Sequence, residues 1–97
     1  MPSYVMLVKW TEQGIKNVKD SPARLAAAGK AIEAAGGRFT GAYYTMGEYD
    51  LIVTSEGPSD EAATAAALAI SGAGNTRTTT LRAFTVAEFT EIVKKLP

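Results

Sequence analysis

The residues Tyr4-Val5-Met6-Leu7-Val8 are apolar without a break, inside a β-branched and aromatic segment that runs from Ser3 to Trp10. Such a run is too short for a self-standing helix and far short of the ~20 residues a membrane-crossing helix needs, so it predicts a strand. A strand that alternates apolar and polar residues can offer one side to water. This one has no such side, and therefore reads as a central strand covered on both faces. The rest of the chain has to supply strands beside it and layers over it.

The flanking elements follow in order. Thr11 can cap a short turn bearing Ile15 and Val18. Ser21 before Pro22 then reads as an N-cap with proline at the first helical position. This predicts a helix to about Ala35, with Leu25, Ala28, Gly29, Ile32 and Ala35 on one stripe and Gly36-Gly37 as its stop. Arg38 to Thr45 and Tyr49 to Ser55 are strand-like runs that pair antiparallel across a tight turn at Met46-Gly47-Glu48. Ser59 caps a second helix with Asp60 and Glu61 beside its positive end. Its interior, Ala62 to Ile70, is mostly alanine, and such small side chains permit close approach to a sheet. Gly72 and Gly74 end it. Threonines favour strand from Asn75 to Phe84, and Val86 to Lys95 forms a short amphipathic helix with Val86, Phe89, Ile92 and Val93 on one side.

Strand, helix, strand, strand, helix, strand with right-handed crossovers gives an α+β class chain: a ferredoxin-like βαββαβ antiparallel sheet of order 4-1-3-2. Both main helices lie on one face, the terminal helix is an addition, and residues 1–97 form a single domain without repeat or linker. Ten Lys and Arg balance ten Asp and Glu, so no positive field holds a phosphate backbone, and neither nucleic acid nor membrane is an expected partner. MPSYVMLVKW lacks the marks of a secretory signal, so a cytoplasmic location is expected. Without cysteine or histidine there are no thiolate nucleophiles, imidazole bases or ordinary zinc sites, and no metal or cofactor is expected. Carboxylates, lysines and tyrosines remain for proton transfer, and hard oxygen-bound cations stay formally open.

At Gly47-Glu48-Tyr49-Asp50 the sequence resembles the GYD domain family. TEQGIKNVKDSP from Thr11 to Pro22 and GNTRTTTLRAFT from Gly74 to Thr85 extend the resemblance over most of the chain. It implies membership of the dimeric α/β-barrel superfamily, hence the fold already reached and a homodimer. A more distant likeness, in GEYD before an aliphatic strand and in the threonine-rich last strand, is to the ligand-binding domains of Lrp/AsnC-type regulators. No helix-turn-helix accompanies it, so no transcriptional role is implied.

Strand parity then nominates a site, because alternate side chains share a face. Val5, Leu7, Leu51, Val53, Leu81 and Ala83 are assigned to the helix-covered face. Tyr4, Met6, Val8 and Trp10 go to the open face, with Asp50, Ile52 and Thr54, and with Thr78, Thr80, Arg82 and Phe84. A homodimer would cover that face, with Met6 and Trp10 in its core, while Arg24 and Arg77 are solvated. Taking the starts of the first and third strands and the end of the fourth to lie together, Tyr4, Tyr43, Asp50 and Arg82 should converge. Such a cluster can hold a small polar ligand, Asp50 accepting hydrogen bonds, Arg82 gripping an anion and the tyrosines forming walls. It can equally be a structural Asp50–Arg82 pair, or Asp50 can brace the hairpin, or join Glu48 on a divalent cation. The expected function is a small-molecule-binding, effector-type homo-oligomer. The alternatives are a cofactor-independent monooxygenase or isomerase with Asp50 as base and Arg82 on an enolate, and a pure assembly module.

Overall fold

The computed structural model describes residues 1–97 and carries strands β1 (Ser3–Trp10), β2 (Arg38–Tyr44), β3 (Leu51–Glu56) and β4 (Thr76–Ala83). The helices are α1 (Glu12–Lys16), α2 (Ser21–Ala34), α3 (Asp60–Ser71) and α4 (Val86–Val93), with a 3-10 turn at Val18–Asp20. The sheet order is β2-β3-β1-β4 with every neighbour antiparallel, the expected ferredoxin-like α+β arrangement with β1 inside. No helix is long and apolar enough to cross a membrane.

Local chemistry sets most element ends as expected. Thr11, Ser59 and Thr85 each accept the backbone N–H three residues on, and at Thr85 the Glu88 side chain returns the bond to form a capping box. That backbone N–H, donating to the Glu88 carboxylate, holds its pKa below the usual 4.5. Ser21 departs from expectation: Asp20 is the N-cap of α2, without a side-chain bond, and the buried Ser21 hydroxyl lies 3.0 Å from that of Tyr44. The β2–β3 turn is also wider than a two-residue loop. Tyr44 pairs with Leu51, Thr45 N–H donates to the Asp50 carbonyl at 2.9 Å, and Gly47 at φ 96° makes the bend.

Residues directly opposed in an antiparallel pair share a face, so the register fixes sidedness. Met6 faces Val53 and Thr80, and Val8 faces Leu51 and Thr78. Met6, Val8, Leu51 and Val53 join Ile32 of α2 and Ala66 of α3 in the core. The helix-covered face therefore carries Tyr4, Met6, Val8 and Trp10 with Thr76, Thr78, Thr80 and Arg82, the reverse of the expected parity for β1 and β4. Val5, Leu7, Leu81 and Ala83 line the open face beside Ile52, Thr54 and Tyr43. A run apolar on both sides carries no parity signal, and threonine hydroxyls give β4 the look of a water-facing strand. These hydroxyls instead turn inward: that of Thr78 sits 3.4 Å from that of Ser71 on α3, and the Thr76 and Thr80 oxygens are buried.

The molecule is flat, 52 × 30 × 17 Å, one layer of helices on one sheet. Only ten of its 97 residues are buried, and no large side chain is wholly so. α4 leaves Val86, Phe89 and Val93 exposed, and Leu81 is 47% exposed on the uncovered sheet face.

Candidate functional site

The four residues expected to converge are divided between the two ends of the sheet. β1 runs antiparallel to both β3 and β4, so its start lies with their ends, and the start of β3 lies at the far end. Tyr4 and Arg82 are cross-strand partners, with the guanidinium 5.8 Å from the Tyr4 ring and 4.6 Å from that of Phe84. Asp50 lies beside Val8 and Trp10, about 15–20 Å away along β1 at the usual rise per residue. Tyr43 is on the open face opposite Ile52 and is 75% exposed.

Each end has its own logic. The Asp50 carboxylate accepts the Trp10 N–H at 2.9 Å while the Asp50 N–H donates to the Val8 carbonyl, so Asp50 stitches the hairpin to the end of β1. The bracing role is the one this geometry supports, and an Asp50–Arg82 pair, structural or catalytic, is excluded. Glu48 lies 3.7 Å from Lys9, and no group of three or more carboxylates is arranged to hold a metal ion. At the other end the Tyr4 hydroxyl donates to Asp60 Oδ1 at 2.6 Å. That bond, with desolvation and the Asp60 charge, holds the Tyr4 pKa above its ordinary 10.0, Arg82 pulling the other way.

The one sizeable hollow lies elsewhere. A cleft of about 180 Å³ opens between α2, α3 and the sheet, at the end where the start of α2 meets the end of α3. Met6, Val8, Trp10, Leu51 and Val53 form its floor, and Ala27, Ala28 and Ala31 face Ala69, Ile70 and Ala73 as walls. Leu25 and Thr76 complete the lining, and Ser21, Arg24 and Asn75 add polar groups. Alanine on both helices leaves the space: at the other end Ile32 packs into the core, whereas here the walls are mostly Ala27, Ala28, Ala31, Ala69 and Ala73, and the branched Leu25 and Ile70 do not close the gap. The small side chains thus leave a hollow where close approach was expected. Arg24, expected to be solvated, is half-buried and donates to the Asn17 carbonyl at 2.8 Å and the Gly14 carbonyl at 3.3 Å. The alanine spacing on both helices was the sequence signal for this site, readable only once the two helices are known to face each other.

The whole is a two-layer ferredoxin-like domain with one sizeable cleft, walled largely by alanine, beneath its helices. The GYD domain model matches residues 4–93, and the chain belongs to the GYD domain family. Among solved structures it is similar to that of TTHA0845 from Thermus thermophilus, with a TM-score of 0.57 and 23% identity over 89% of this chain and 96% of that one. That similarity is one of fold. No curated protein matches the chain.

Proposed function

We propose that the chain is a small-molecule-binding protein that works as a homo-oligomer, with its ligand in the cleft between α2, α3 and the sheet. The observation that carries this reading is the cleft: about 180 Å³ of mainly apolar space in a molecule with only ten buried residues. An apolar cavity of about 150 Å³ is enough for a benzene-sized guest. Binding fits the site better than catalysis, because no nucleophile with an adjacent base lines it. Self-association is supported by the other side of the sheet, where Val5, Leu7, Ile52 and Leu81 have no covering layer, and by the uncovered apolar side of α4.

Trp10, the chain's single tryptophan, lines the cleft and reports on its contents. Titration with toluene should change its fluorescence and raise the melting temperature. Ala28→Leu, which adds bulk to one wall, should abolish both responses in a protein that still folds. A wild-type protein that responds neither to toluene nor to charged guests of the same size would dismiss the cleft as a ligand site.

A further inference from the structure

One polar feature of the cleft defines the class of molecule it takes, an inference that rests on the cleft being the ligand site. It is Arg24, the sole charged residue among those lining the cleft. Two of its N–H groups are taken by the Asn17 and Gly14 carbonyls, which fix the side chain and leave the rest of the guanidinium fork free.

No Asp or Glu lines the space, so nothing there neutralises Arg24 or would welcome a second cation. The alanine walls admit a body the size of one ring or one branched aliphatic chain, by comparison with the roughly 150 Å³ that encloses benzene. We infer that the cleft binds a small aromatic or branched aliphatic carboxylate, its apolar body on the Val8–Trp10 floor and its anionic head at Arg24. Carboxylate and guanidinium are matched in plane and charge, so the head group should set selectivity and the body should set size.

Benzoate, benzylamine and toluene, titrated separately against Trp10 fluorescence at low ionic strength, separate the possibilities. Benzoate should bind at least about tenfold more tightly than either of the others, the ordinary reward for a charge-assisted pair. Arg24→Met should erase that preference while toluene, which does not use the arginine, binds within about twofold of wild type. If Arg24→Met fails to fold, Arg24→Lys serves in its place and should retain the preference for benzoate over benzylamine, since it keeps the charge. Toluene binding with no preference for benzoate would overturn the carboxylate assignment and leave the cleft as a site for neutral guests. No response to any of the three would overturn the ligand site itself.

Discussion

At Asp50 a single carboxylate does backbone work: it occupies the place a strand residue would take and accepts the last free N–H of β1, that of Trp10. Asp50→Ala leaves that donor without a protein partner and should cost about 1–2 kcal/mol, and Asp50→Asn, which keeps an acceptor oxygen, should cost less. Because Arg82 is at the other end of β1, Asp50→Ala and Arg82→Leu should add within about 0.5 kcal/mol in urea denaturation. Tyr4 gives a prediction in alkali. Its folded pKa is raised above 10.0, so the stability contributed by the neutral hydroxyl on Asp60 is complete below that pH. It is lost as pH rises through the folded value, and the phenolate absorbance should show a late step that is absent from Tyr4→Phe. Residue types are legible in the sequence, and roles are not. Tyr4, Asp50 and Arg82 stand out as unusual residues on strands, but grouping them assumes that the start of β3 lies beside the start of β1, which antiparallel pairing forbids.

Elements are legible to within a residue or two where their ends have chemical markers. Thr11, Ser59 and Thr85 cap as their side chains dictate, and β1 spans the expected Ser3 to Trp10. Sidedness is not legible in this way: Leu51 and Val53 lie on the expected face although Leu51-Ile52-Val53 is apolar throughout, β1 likewise offers no contrast between its faces, and the threonines of β4 look water-facing although Thr76 and Thr80 bury their hydroxyl oxygens. The docking of α1 turns on a contact invisible to pattern reading. A Cβ built on Gly14 would stand 2.0 Å from the Asn75 carbonyl oxygen, where the Thr11 N–H also bonds. The glycine is required by this backbone approach, and Gly14→Ala should lower stability by about 1–3 kcal/mol, read as a fall in the urea midpoint with an unchanged slope.

For the whole molecule, the reversed parity of β1 changes which substitution tests which interface. Met6 is 5% exposed and belongs to the monomer's own core, so Met6→Lys should prevent folding. Leu7 points the other way, and if that face joins two copies as proposed, Leu7→Lys should leave the far-ultraviolet circular dichroism intact and give monomers of about 10.2 kDa by light scattering. A Leu7→Lys protein of undiminished mass would remove the open sheet face from the self-association reading.

The thinness of the molecule carries a kinetic consequence. Ten buried residues in a slab 17 Å deep leave little to hold an isolated chain together, so any stability gained from a second copy enters as a mass-action term. The thermal midpoint should then climb steadily as the protein is concentrated. The last phase of refolding should become bimolecular, its half-time shortening in proportion as more chain is added. Dilution would act on such a protein as a mild denaturant.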